Sequence, residues 1–243
     1  MTDDRLLVAE AVRHRFGALT VLDGVTFAVA PGEAVGIVGP NGAGKTTLLN
    51  VLAGSLRPSE GVVRFRGADV TRAGAATRCR LGIGRSHQVP RPFGEMTVFE
   101  NVLVGATAGG TWRLAEASTL GLDVLERCGL SGLANRRAES LGLLDRKRLE
   151  LARALATGPD VLLLDEIGGG LTDAEAGELL DTVGAIRAGG VAIVWIEHIV
   201  HVLVRLVGRL VCMDAGRVIA DGDPEAVMKD AAVVDAYLGR GRG

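Results

Sequence analysis

The 243-residue sequence predicts an α/β protein: a parallel-sheet core bearing a phosphate-binding loop, an antiparallel β subdomain on its N-terminal side and an inserted helical subdomain. Three observations carry that prediction. The apolar run Ala34-Val35-Gly36-Ile37-Val38 meets a glycine-rich turn and then the helical stretch Leu48-Leu49-Asn50-Val51-Leu52. A second apolar run, Val161-Leu162-Leu163-Leu164, ends in the carboxylates Asp165 and Glu166. Between residues 97 and 157 the pattern is mostly helical, broken at Gly109-Gly110 and at residues 129–132. The expected division is therefore a core with its β subdomain over residues 1–88 and 158–243, and a helical subdomain over 89–157.

Composition bounds the function. Hydrophobic residues make up 48% and charged residues 23%, enough for one sizeable core in a soluble chain. A net charge of −2 sets up no global field for nucleic acid, and Arg146-Lys147-Arg148 reads as a solvated helix face. Cys79, Cys128 and Cys212 have no metal or redox spacing and read as thiols of a reducing compartment. The start, Met1-Thr2-Asp3-Asp4-Arg5, is not a secretory signal. The most membrane-like stretch, residues 191–213, is interrupted by Glu197, His198, His201, Arg205 and Arg209. It reads as a buried strand over 191–196 followed by an amphipathic helix.

Taken in order, residues 7–13 and 25–29 alternate as strands, and Ala30-Pro31-Gly32 turns the chain into the strand at 34–38. Phe16 precedes the loop in a chain with 3% aromatics; a ring there either stacks on a purine or packs, and the residues alone leave both open. The loop is Gly39-Pro40-Asn41-Gly42-Ala43-Gly44-Lys45-Thr46-Thr47, a Gly-x4-Gly-Lys-Thr match between strand and helix. Its backbone N–H groups would curl around a polyphosphate at the positive end of the helix dipole. Lys45 would reach the β- and γ-phosphates of ATP, and the Thr46 hydroxyl would hold Mg²⁺. The core is thus a P-loop NTPase core.

Residues 61–67 alternate and end in glycine, a further strand, and a strand over 81–85 leads to Ser86-His87-Gln88. Thr97-Val98-Phe99-Glu100 has capping-box spacing and opens a helix. The strand ending at Asp165-Glu166 puts acids where ligands sit in open α/β sheets. Asp165 is placed to orient Mg²⁺ through water and Glu166 to take a proton from an attacking water. After Gly168-Gly169-Gly170-Leu171-Thr172 come a helix over 173–187 and the strand at 191–196, with Glu197-His198 at its tip. A histidine there could donate to a γ-phosphate. A hairpin over 210–213 and 217–220 and a last helix after Gly222-Asp223-Pro224 complete the chain.

The ordered set resembles the ATP-binding-cassette ATPases over nearly the whole chain. The phosphate loop, Gln88, Leu149-Glu150-Leu151-Ala152-Arg153-Ala154-Leu155, Asp165-Glu166 and His198 stand in that family's order. Leu81-Gly82-Ile83-Gly84-Arg85, Glu95-Met96-Thr97-Val98-Phe99-Glu100-Asn101-Val102, Ile196-Glu197-His198 and Ala236-Tyr237-Leu238-Gly239 look like the larger ATPase of branched-chain amino-acid importers. The resemblance implies that Phe16 stacks on adenine and that Gln88 contacts Mg²⁺ or the attacking water. It makes Asp165 the Walker B acid, Glu166 the general base and His198 the switch histidine. Two such domains would close head-to-tail around two ATPs and drive membrane subunits. The implied partners are transmembrane permeases, a second ATPase in a heterodimer and, indirectly, an extracytoplasmic solute-binding protein, with no nucleic acid. The chain would lie in the cytoplasm on the inner face of the membrane. A urea or amide importer, an export ATPase and a cassette acting on nucleic acid or the ribosome are the alternatives.

One motif departs from that family. Its Leu-Ser-Gly-Gly-Gln signature falls on Leu141-Gly142-Leu143-Leu144-Asp145, so the serine is lost and a leucine stands at the last glycine. Contacts supplied in trans to a phosphoryl transition state are worth about 10³–10⁵ in rate. A degraded signature would weaken the partner's ATP site and leave this chain's own site intact. Ile167, Thr172 and His87 also replace common residues of the family, and read as drift.

Overall fold

The computed structural model describes residues 5–87, 89–109, 112–197 and 203–238. Gln88, His198 and His201 lie outside the described residues, as do residues 198–202 of the amphipathic helix expected after residue 196. Strands β1 (Leu7–Phe16), β2 (Leu19–Val29), β4 (Glu60–Phe65) and β5 (Ala68–Asp69) form an antiparallel sheet in the order β2-β1-β4-β5. A second sheet has the order β10-β9-β3-β8-β7-β6, built from β3 (Ala34–Val38), β6 (Ile83–Arg85), β7 (Val161–Asp165), β8 (Ala192–Ile196), β9 (Arg209–Asp214) and β10 (Arg217–Gly222). All its pairings are parallel except the β9–β10 hairpin at the edge.

The central strands β3, β7 and β8 are buried at every position, because both sheet faces are covered. Their alternating side chains feed two separate cores. Ala34, Val38, Leu162, Leu164, Ile193 and Trp195 point into one, shared with helices α3 (Val98–Val104), α4 (Leu114–Arg127), α5 (Leu143–Leu155) and α6 (Asp173–Ala188). Val35, Ile37, Leu163 and Val194 point into the other, where Leu48, Leu49, Val51 and Leu52 of α1 (Lys45–Ala53) meet Leu7, Val25, Phe27 and Val63 of the antiparallel sheet. The helix that follows the phosphate loop is thus held between two sheets.

Thr97 caps α3 with the expected box, its hydroxyl accepting from the Glu100 N–H while the Glu100 carboxylate accepts from the Thr97 N–H. Beyond α3 a wider turn, Gly105–Gly109, comes so close to α5 that a Cβ on Gly105 would lie 2.5 Å from the Arg153 carbonyl oxygen. Two expectations need correcting. Leu81 does not begin a strand; it ends helix α2 (Ala75–Leu81), and the strand β6 starts at Ile83. The inward residue of α2 is the fully buried Arg78, so no apolar stripe marks that helix. The last helix is two, α7 (Pro224–Lys229) and α8 (Ala231–Leu238), parted at Asp230, whose side chain accepts from the Ala232 N–H.

Candidate functional site

The phosphate loop follows β3 and delivers Lys45 as the first residue of α1, with Gly44 as its cap and no acidic side chain in the first turn. The positive end of the helix is therefore open to an anion. Gly39 opens the loop at φ 142°, and a Cβ there would lie 2.0 Å from the Met213 carbonyl oxygen, so no other residue fits. Lys45 is 5% exposed, and its Nζ donates to the carbonyls of Gly39 at 2.7 Å and Pro40 at 3.0 Å. Burial holds its pKa below the usual lysine value, against the raising effect of Glu166, Cys212 and Asp165.

A cleft of about 200 Å³ is lined by Asn41, Gly42, Ala43, Gly44, Lys45, Thr46, Thr47, Val21 and Glu166. The strand β7 brings its acids here across more than a hundred residues. The Thr46 hydroxyl donates to Asp165 Oδ1 at 3.5 Å, and the other oxygen of Asp165 accepts from Arg85 Nη2 at 3.3 Å. Burial pushes the Asp165 carboxyl up, while Arg85 pulls it down and Glu166 adds to the rise. Glu166 begins the turn after β7 at φ 48°, a left-handed conformation for a non-glycine residue, and its N–H donates to the Ile196 carbonyl at 2.8 Å. The backbone of β8 thereby fixes where the Glu166 side chain leaves the sheet.

The Thr46 hydroxyl and the Asp165 carboxylate, 3.5 Å apart, are the oxygen donors a cation would meet here. Among the described residues no group of three or more His, Cys, Asp or Glu could hold a metal. An ion here would take a hydroxyl and a carboxylate from the protein and its remaining oxygens from phosphate and water, which is the habit of Mg²⁺.

Not all expected site residues meet in this cleft. Phe16 stands 51% exposed at the end of β1, with its ring edge-on to His14 at 4.6 Å between centroids. Leu141 is buried, Gly142 caps α5 without a side-chain hydrogen bond, Leu143 is 44% exposed and Leu144 packs partly buried against the core. Asp145 pairs with Arg148 at 3.6 Å. None of residues 141–145 lines the cleft at Lys45. Three residues of the site were given no role by the sequence motifs. Arg85 bridges Asp165 and the Asn50 side chain of α1, and Tyr237 of α8 accepts a hydrogen bond from the Gly39 N–H at 2.9 Å. For Arg85 the signal was available: a cation at the tip of a strand in the same sheet as Asp165.

Comparison with known proteins agrees with this geometry. The family model "ABC transporter" matches residues 22–168, and "Branched-chain amino acid ATP-binding cassette transporter" matches residues 217–242. The high-affinity branched-chain amino acid transport ATP-binding protein LivG of Escherichia coli (strain K12) is 34% identical over 96% of this chain and 98% of its own length. The protein BraF of Pseudomonas aeruginosa, of the same description, is 32% identical over 96% of this chain and 98% of its own. Among solved structures, the ADP conformation of an ATP-binding cassette of an ABC transporter superposes with a TM-score of 0.89 at 33% identity, covering 97% of this chain and 99% of that one. No helix among the described residues is long and apolar enough to cross a membrane. Phosphate loop, strand-end acids and near-full-length likeness converge: the chain belongs to the ABC transporter family and is a nucleotide-binding ATPase subunit that powers transport.

Proposed function

We propose that this subunit hydrolyses Mg-ATP to drive import of branched-chain or other hydrophobic amino acids. The observation that carries the proposal is the meeting of Lys45, Thr46 and Glu166 in one cleft, with Asp165 accepting a hydrogen bond from Thr46 beside it. The loop from Gly39 to Thr47 holds the phosphates, and Thr46 and Asp165 hold Mg²⁺, which supplies charge neutralisation when bound. Glu166 takes the proton of the attacking water. Phe16 stacks on adenine. Gln88 and His198 keep the roles implied by resemblance, as a contact to metal or water and as the γ-phosphate donor. The substrate assignment is supported by the descriptions of the relatives and by the match at residues 217–242. The core spans 1–88 and 158–243, and the helical subdomain 89–157.

The working unit is a heterodimer with a second cassette, docked peripherally on the cytoplasmic face against permease subunits and served indirectly by a solute-binding protein. In a head-to-tail pair each phosphate loop is completed by the other chain's signature. This chain carries its own phosphate loop and strand-end acids, whereas Gly142 at the cap of α5 offers no hydroxyl and Leu144 puts a side chain where the family has glycine. One site of the dimer is therefore fast and the other weak. The test is reconstitution with both permeases and the second cassette in vesicles. ATP-driven uptake of leucine, isoleucine or valine is expected, with faster turnover in Leu144→Gly. Absence of uptake for all three removes the branched-chain assignment, and unchanged turnover removes the asymmetry.

A further inference from the structure

We propose that Tyr237 is a positioning residue of the nucleotide site: its hydroxyl holds the Gly39 peptide, so the last helix of the chain sets the phosphate loop for a triphosphate. The proposal rests on the reading of residues 39–47 as the nucleotide loop and adds a contact from outside it.

Gly39 is the pivot. On its amide side the N–H donates to Tyr237 Oη at 2.9 Å, and on its carbonyl side the oxygen accepts from Lys45 Nζ at 2.7 Å. A single residue thus joins a hydroxyl from α8 to the ammonium that meets the phosphates. The backbone of Gly39 cannot shift toward β9, because the Met213 carbonyl already fills the space where a Cβ would be, at 2.0 Å. The remaining freedom is rotation of its flanking peptides. A bond to the N–H restrains that rotation directly.

The tyrosine's ring does little for the core. It is 45% exposed, and the buried anchor of α8 is Val233, 1% exposed. What Tyr237 contributes inward is its oxygen. Burial raises the phenol above its ordinary pKa, with Cys212 adding to the rise and the Gly39 bond opposing it, and the hydroxyl oxygen accepts the amide proton. A ring serving only as packing would need no hydroxyl aimed at a loop amide 198 residues away in sequence.

Tyr237→Phe removes one oxygen and keeps the ring. In the full-length purified chain, titration calorimetry with Mg-ADP and with Mg-ATP is expected to give affinities about three- to tenfold weaker than in the unsubstituted chain, the worth of one hydrogen bond. The nucleotide-free Tm is expected to stay within about 2 °C. The chain has one tyrosine, so incorporated fluorotyrosine gives a single fluorine resonance at this position. That resonance is expected to move when Mg-ADP is added. Unchanged affinity in Tyr237→Phe overturns the proposal, whether or not Tm falls, and so does a resonance that nucleotide leaves in place. If the unsubstituted chain itself fails to bind Mg-nucleotide, the reading of residues 39–47 falls first and this proposal with it.

Discussion

Arg78 is fully buried, and replacing it by methionine gives the sharpest test of how α1 is held. Its guanidinium donates to the carbonyls of Val51 at 2.7 Å, Leu52 at 2.8 Å, Val70 at 2.7 Å and Ala73 at 3.0 Å. Val51 and Leu52 lie in the last turn of α1, which carries no basic side chain of its own. Arg78 therefore supplies the positive charge that the negative end of this helix lacks. Burial pulls its pKa down to about 10, so the fold bears a desolvation cost to keep the ion there. With a fifth, longer bond to the Thr71 carbonyl at 3.3 Å, and at about 1 kcal/mol net per bond, the five sum to about 5 kcal/mol. Relief of the buried charge works the other way, and methionine preserves the packing of the stem. The expected loss in Arg78→Met is about 2–4 kcal/mol, which for a chain of this size lowers Tm by about 6–12 °C. Arg78→Lys keeps the charge without the planar fork and falls between the two. Scanning calorimetry or urea unfolding measures it. A loss below about 1 kcal/mol in Arg78→Met would refute the claim that these carbonyls depend on Arg78.

Further expectations concern the cleft. Glu166→Gln should bind Mg-ATP with unchanged affinity while turnover drops by about 10²-fold or more; retained hydrolysis removes Glu166 from the role of base. Lys45→Ala should abolish ATP binding, read by equilibrium titration, because among the described residues no other ammonium lines the cleft. Lys45 is most useful to a triphosphate while protonated, and burial holds its pKa below the ordinary lysine value. Affinity for ATP should then decline as pH rises toward, and before reaching, the range where a free lysine titrates; binding that stays level through that range refutes the assignment. Arg85→Met should raise the Mg²⁺ concentration needed for tight ATP binding, since Asp165 loses the hydrogen bond that orients its carboxylate toward Thr46. Calorimetry at graded Mg²⁺ measures this, and an unaltered dependence counts against Arg85.

Much of the fold was legible because local chemistry and global position agree. The runs at 34–38 and 161–165 are buried on both faces, so an uninterrupted apolar stretch is what a central strand requires. The Thr97 box is written in four adjacent residues. The phosphate loop and the strand-end acids were legible for the same reason, each being a contiguous signal. What stayed hidden was built by pairs distant in the chain. Arg85 and Asp165 are 80 residues apart and Tyr237 and Gly39 198 apart, and neither pairing leaves a periodic trace. Helix α2 was missed because its inward residue is an arginine, which hydrophobic periodicity counts as outward. At the signature, the sequence located the substitutions, and the structure added that Leu143 rather than Leu144 is the more exposed.

The turn at Gly105–Gly109 has a mechanical consequence. Where Gly105 meets Arg153 the main chains themselves touch, since even a methyl group would come within 2.5 Å of the carbonyl oxygen. Interdigitated side chains can slip past one another by changing rotamer, but two abutting main chains have no such compliance. A push on α3 is therefore delivered to α5 without slack, and the pair behaves as a stiff lever rather than a cushion.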